Sequence, residues 1–456
     1  MKIPEIFKLQ QEFFLSHQTK PICFRKEQLK KFKAILKKNE SLLFEAIDKD
    51  FGKSAFETYE TELSILYHEI NLAIKKVRTW SKSRRVSTNL ANLPGKSRII
   101  PEPYGNTLVI GAWNYPYQLA LLPAVSAIAA GNTVIIKPSE LAPNTSAIMT
   151  KIINENFNAA FLYVKEGGVP ETTELLEQKF DKIFFTGSTR VGKIVYQAAA
   201  KNLTPVTLEL GGKSPTFVFP DTNLKMAAKR IAWGKFLNAG QTCVAPDYLL
   251  VHTDIKNEFL NELKNQINKI QGDNPKDSEA YVRIINKANF ERLSWLIDKE
   301  KIYFGGEIDK EKLFISPTIL HNVTFDDKVM GDEIFGPILP VIEFYDLDEA
   351  IARVRKLSKP LSLYIFTNKT KIRKKIIHEI SFGGGCVNDT IMHLSNSKLP
   401  FGGVGYSGMG DYHGKAGFDA FSHHKSVLYK GMWFEPFIKY RPYSEFKMKL
   451  LRWVVE

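Results

Sequence analysis

The chain has 456 residues, 44% of them hydrophobic and 25% charged, with a formal net charge of +14. That length predicts two or three domains, and the balance excludes an intrinsically disordered chain. The three widely spaced cysteines, Cys23, Cys243 and Cys386, exclude a disulfide framework and offer no zinc-site spacing, so no metal is expected.

Residues 1–80 read as helical, with apolar positions at helical spacing through Leu29, Phe32, Ile35 and Leu36 and again through Leu63, Leu66, Ile70 and Ile74. From Asn106 the pattern changes to short β-rich runs: Thr107 to Ile110, Thr133 to Ile136, Phe161 to Val164, Lys182 to Phe185 and Val206 to Leu208. Helix-like segments lie between most of them, as in Gln118 to Ala130 and Thr145 to Asn156. Strands alternating with helices imply an α/β fold with a parallel sheet covered on both faces, binding ligands at the carboxyl ends of its strands. A second alternating region follows Gly212, with strands at Thr216 to Phe219 and Tyr248 to Val251 around a helix from Leu224 to Phe236, and runs to about residue 400. The best apolar run, Leu119 to Ala130, is too short to span a bilayer and contains Pro123, and the charged N-terminus does not resemble a secretory signal. A cytoplasmic protein is the expectation. The excess lysines are scattered and accompany no nucleic-acid motif, so they read as solvated helix faces and no nucleic-acid partner is expected.

Chemistry concentrates in a few loops. Asn238-Ala239-Gly240-Gln241-Thr242-Cys243 sets one thiol in a glycine-loosened stretch, and Leu208-Glu209-Leu210-Gly211-Gly212-Lys213 places a carboxylate at the boundary of the two regions. A thiol can form a covalent intermediate and a carboxylate can activate the water that releases it, so the pair suggests covalent catalysis by Cys243 with Glu209 as base. Alone, Cys243 would read as a buried structural thiol and Glu209 as a capping carboxylate. Asn114 lies on Gly111-Ala112-Trp113-Asn114-Tyr115-Pro116 after one strand, and Lys137-Pro138-Ser139-Glu140 follows the next. Gly187 and Ser188 join a third strand to a helix whose N-terminal amides suit a phosphate, although no GxGxxG fingerprint is present. Glu333-Ile334-Phe335-Gly336-Pro337 and Pro400-Phe401-Gly402-Gly403 mark turns in the second region.

In this order, these stretches resemble the aldehyde dehydrogenase family, and the segment from Leu399 to Val427 resembles its class 3 branch, which includes fatty aldehyde dehydrogenases. The resemblance implies NAD(P)-dependent oxidation of apolar aldehydes, medium- or long-chain aliphatic before aromatic, to carboxylic acids. Cys243 would be the nucleophile, Glu209 the base for deacylation, and Asn114 an oxyanion donor with the Cys243 N–H. NAD or NADP would be held by Lys137 and Glu140 at the adenosine ribose, by Gly187 and Ser188 at the pyrophosphate, and by Glu333 at the nicotinamide ribose, with Phe335 and Phe401 near the ring. It also implies a Rossmann-type cofactor domain over 1–208, a catalytic domain over 209–415 and a C-terminal bridging segment over 416–456. Residues near 80–100 and 420–440 would form the bridging arm of a homodimer. A coenzyme A-acylating dehydrogenase is the competing enzyme, disfavoured by Glu209; a silent nucleotide-binding or membrane-surface protein is the competitor from another class. The basic, aromatic tail from Trp433 to Val455 could lie on an anionic membrane surface or pack onto protein, and packing is the expectation.

Overall fold

The computed structural model describes residues 1–272, 274–278 and 280–455, excluding the side chains of 454 and 455. The N-terminal region is helical: Ile3–Leu15, Ile22–Lys38, Glu40–Phe51 and Ser64–Trp80 bury one apolar stripe each. Between the last two, Ala55–Thr58 runs into a π turn, Tyr59–Leu63, before the α-helix resumes.

Five strands form a parallel array: Asn106–Ile110, Thr133–Lys137, Leu162–Val164, Lys182–Thr186 and Val206–Glu209. Three of them are buried at every position, as expected of strands covered on both faces. Helix Pro116–Ala130 is apolar all round and wholly buried beneath this sheet; Pro116 starts it and Gly131, at φ 101°, ends it. The chain adds two strands on one side of Asn106–Ile110, then crosses back to add Lys182–Thr186 and Val206–Glu209 on the other. The switch point therefore lies between Asn106–Ile110 and Lys182–Thr186, where such sheets open a crevice for dinucleotides.

The second region builds a seven-stranded sheet with Pro215–Val218, Tyr248–His252, Ile338–Phe344 and Ser362–Phe366 among its strands. Passage from the first sheet to the second runs directly through 209–214. Beyond residue 400 the chain turns back to the first sheet. Gly408–Met409 returns to pair antiparallel with Val206–Glu209, and helix Gly414–Ala420 packs on Ser64–Trp80 and Pro116–Ala130. Glycine permits this return: a Cβ on Gly408, at φ 153°, would strike the Leu208 carbonyl.

Segments 84–103 and 422–429 pair with each other as a three-stranded antiparallel sheet, Arg84–Val86, Lys96–Pro103 and Ser422–Tyr429. The tail beyond it ends in helix Glu445–Val455, which touches Leu90–Asn92. Its large apolar side chains are not packed into this chain's core: Trp433 is 78% and Trp453 76% exposed. Among the described residues, no helix is long and apolar enough to cross a membrane.

Candidate active site

Asn114, Lys137, Gly187, Ser188 and Glu209 lie at or just beyond the carboxyl ends of four adjacent strands. Lys137 is buried and pairs with the half-exposed Glu140, Nζ to Oε2, at 2.6 Å. Partial burial pushes the Glu140 carboxyl up, but Lys137 and its own backbone amide outweigh that and hold it below the usual range. Gly187 packs against the Phe185 ring, leaving no room for a Cβ, and its N–H donates to the Glu209 carbonyl at 3.0 Å. Ser188 caps helix Thr189–Ala200 by accepting from the Val191 N–H, so the first turn's amides begin at the switch-point crevice. This arrangement of a bare glycine turn, a capped helix N-terminus and a lysine–glutamate pair fits a dinucleotide's phosphates and ribose.

The thiol loop follows helix Leu224–Phe236. Asn238, Ala239 and Gly240 have φ of 53°, 50° and 72°, three left-handed residues in succession. Non-glycine residues adopt this conformation at a cost and need their surroundings to impose it. The Asn238 N–H donates to Glu57 Oε1 at 2.9 Å, and its side-chain amide donates to the Asn114 and Gln241 carbonyls at 3.0 and 3.1 Å. Gln241 is tied in turn, donating to the Arg283 carbonyl and accepting from the Ile285 N–H. The turn delivers Cys243, partly exposed, into an apolar cluster with Trp233, Leu237, Leu361, Ile391 and Phe401. Asn114 reaches the same loop: its Nδ2 donates to the Gln241 carbonyl at 3.1 Å. Tyr115 is buried, with its hydroxyl 2.6 Å from Thr242 Oγ1, so it braces the loop.

Burial dominates the electrostatics. It pushes the Cys243 thiol up to about 12, with Glu333 and Glu209 adding to the rise and the N–H groups of Cys243 and Val244 opposing it. Glu209 is 3% exposed, and among the described residues neither carboxyl oxygen has a hydrogen-bond partner. Burial, then Asp411, raises its carboxyl well above the carboxylate range. Burial, then Asp247, raises Glu333 to about 8, against the Gly212 N–H and Lys213. The Glu333 carboxyl lies where a side chain at Gly211 would have to go, and the Ile334 N–H donates to Asp247 at 2.9 Å. Phe335, at φ 51°, packs edge-on against Trp113 at 5.4 Å. Phe401 stacks on His413 at 5.2 Å, within the Cys243 cluster.

The residues singled out in the sequence thus form two groups. Glu209, Glu333, Asn114, Phe401 and, through Trp113, Phe335 gather around the Cys243 loop; Lys137, Glu140, Gly187 and Ser188 follow the strand ends. Sequence reasoning missed Lys53, Glu57 and Glu62, which reach this site from the N-terminal helical region, Lys53 from the linker before Ala55–Thr58. The one signal for Glu62 is its place a helical turn before the core residue Leu66.

Residues 3–427 match the aldehyde dehydrogenase family. The 4,4'-diaponeurosporen-aldehyde dehydrogenase of Staphylococcus aureus is 50% identical over 95% of this chain and 95% of that protein. The mouse aldehyde dehydrogenase family 3 member A2 is 44% identical over 97% of this chain and 92% of its own length. A solved structure of the substrate-bound state of Staphylococcus aureus AldH superposes with a TM-score of 0.97, at 48% identity and full coverage of both chains. A thiol loop, paired carboxyls and a dinucleotide crevice joined in this fold agree with those likenesses, and the chain belongs to the aldehyde dehydrogenase family as an NAD(P)-dependent oxidoreductase.

Proposed function

We propose that the chain oxidises apolar aldehydes to carboxylic acids through a covalent intermediate on Cys243. The observation that carries this reading is the convergence of a partly exposed thiol, an anchored amide and a buried, unpartnered carboxyl where the two sheets meet. Cys243 gives up its proton to solvent and attacks the aldehyde carbon as a thiolate, and the Asn114 amide and the Cys243 N–H hold the resulting oxyanion. Bound NAD(P) supplies the hydride acceptor. Glu209 then takes a proton from water that cleaves the Cys243 thioester; burial, which raises its affinity for a proton, strengthens it as a base.

On the cofactor side, Lys137 and Glu140 hold the adenosine ribose, and Gly187 and Ser188 receive the pyrophosphate. Glu333 holds the nicotinamide ribose, with Phe335 beside the ring. Phe401 was expected beside it too; its stacking on His413 and place in the Cys243 cluster favour a position where the aldehyde and the ring meet. The apolar lining from Trp233, Leu237 and Ile391 supports apolar aldehydes, and the class 3 resemblance puts medium- or long-chain aliphatic ones ahead of aromatic ones. The antiparallel arm, with an outer strand that is largely exposed, supports a homodimer bridged through 84–103 and 422–429. The exposed tail aromatics, interleaved with Lys439, Arg441, Lys447, Lys449 and Arg452, support a peripheral membrane contact. Liposome binding that survives deletion of 430–456 rejects that contact.

The test of the activity is NADH and NADPH formation with aldehydes from short to long aliphatic and aromatic, including the aldehyde named for the Staphylococcus aureus relative. Reduction without coenzyme A, absent in Cys243→Ala, is expected. Turnover only with coenzyme A overturns the hydrolytic reading.

A further inference from the structure

We infer that Lys53, Glu57 and Glu62 are positioning residues that fix the Asn114 amide against the thiol loop. This rests on the proposed roles of Asn114 and Cys243. Lys53 Nζ and Glu62 Oε1 lie 3.0 Å apart with both side chains fully buried. A buried ion pair gains little over an apolar pair of the same shape, because desolvation offsets the attraction. Geometry gives this pair its purpose.

Its remaining contacts follow the Asn114 loop residue by residue. Lys53 Nζ donates to the Asn114 carbonyl at 3.3 Å and lies 4.3 Å from the centre of the Tyr115 ring. The second oxygen of Glu62 accepts from the N–H groups of Tyr117 and Gln118, at 2.8 and 3.3 Å. Those are first-turn amides of helix Pro116–Ala130, where a negative charge is favourable. Glu57 does the same for the other loop by accepting from the Asn238 N–H at 2.9 Å. The Asn238 amide then links the two loops through the Asn114 and Gln241 carbonyls. One Asn114 amide hydrogen is committed to Gln241, leaving the other for a substrate oxygen.

The π turn explains how one helix serves both loops. Residues five apart on an α-helix point about 140° apart. Within Tyr59–Leu63 the backbone bonds five residues on, Ser64 N–H to Tyr59, and this wider turn brings Glu57 and Glu62 towards a common face. Such turns cost local stability and recur at functional sites.

The test is a set of double-mutant cycles with Asn114→Ala. Glu62→Gln, the paired Lys53→Met/Glu62→Gln, and Glu57→Leu should each lower kcat about 10–100-fold while KM for NAD(P) stays within about threefold. In the Asn114→Ala background those penalties should largely vanish, because the group they position is gone. Glu57→Gln, which keeps an oxygen acceptor for Asn238, should remain near wild type. Penalties that persist undiminished in the Asn114→Ala background would overturn the inference and leave a purely structural role. If Asn114→Ala itself leaves kcat unchanged, the oxyanion role falls and this inference with it. Should the Lys53 variant fail to fold, Glu57→Leu, which removes a single backbone contact, carries the same test.

Discussion

The two halves of the site handle charge in opposite ways. At the strand ends, Lys137 meets a half-exposed Glu140, and the pairing keeps that carboxyl ionised. Around the thiol, burial raises the Glu209 and Glu333 carboxyls above the usual carboxylate range, and Cys243 is pushed in the same direction. In the proposed function the first half would bind a charged, soluble cofactor, for which a half-exposed ion pair suffices. The second would carry out proton transfers, and burial strengthens a carboxyl's hold on a proton, as a general base requires. The contrast extends to the backbone: regular strand ends on one side, three consecutive left-handed residues on the other.

Several substitutions would break or sharpen that contrast. The largest effect after loss of the thiol is expected from Asn114→Ala, which should lower kcat by about 10²–10³-fold with little change in the KM for NAD(P). Steady-state kinetics with a saturating aldehyde checks it, and an equal rise in KM with kcat intact would move Asn114 to the binding half. Lys137→Met should do the opposite, weakening NAD(P) binding about tenfold with kcat nearly unchanged; titration calorimetry reads this directly.

The smallest effect is on stability. Glu333 binds its proton more tightly folded, up to about 8, than unfolded, so folding takes up a proton between the two values. Its contribution therefore becomes less favourable as pH rises from the ordinary carboxylate range to about 8, and is constant above that. Glu333→Gln removes the titration. Its Tm should gain on the wild type across that window by a few degrees and then run parallel. A Tm difference independent of pH would show that folding does not raise the affinity of Glu333 for its proton.

Much of this site was legible in the sequence because it sits where periodicity breaks. Asn114, Lys137, Gly187 and Glu209 each end or follow a β-branched or aromatic run, and a parallel sheet brings the ends of such runs together whatever lies between. Cys243 stood out through its glycine-loosened neighbours. Lys53, Glu57 and Glu62 were not legible, since charged residues on a helix or in a short linker between helices read as solvated. Their burial depends on a π turn and on loops distant in the chain. The return of 408–421 to the first sheet was hidden for another reason: glycine turns carry no hydrophobic period. Nor could tail composition say whether its aromatics would find a groove, because that depends on the surface beneath.

The central claim is covalent catalysis at Cys243 with Glu209 releasing the product. Intact-mass measurement of Glu209→Gln, mixed with aldehyde and NAD(P) and quenched in acid, tests it most directly. The account predicts one acyl group per chain, mapped to Cys243 and accumulating because hydrolysis has lost its base. A variant that turns over at the wild-type rate, or acylates at another residue, would contradict it.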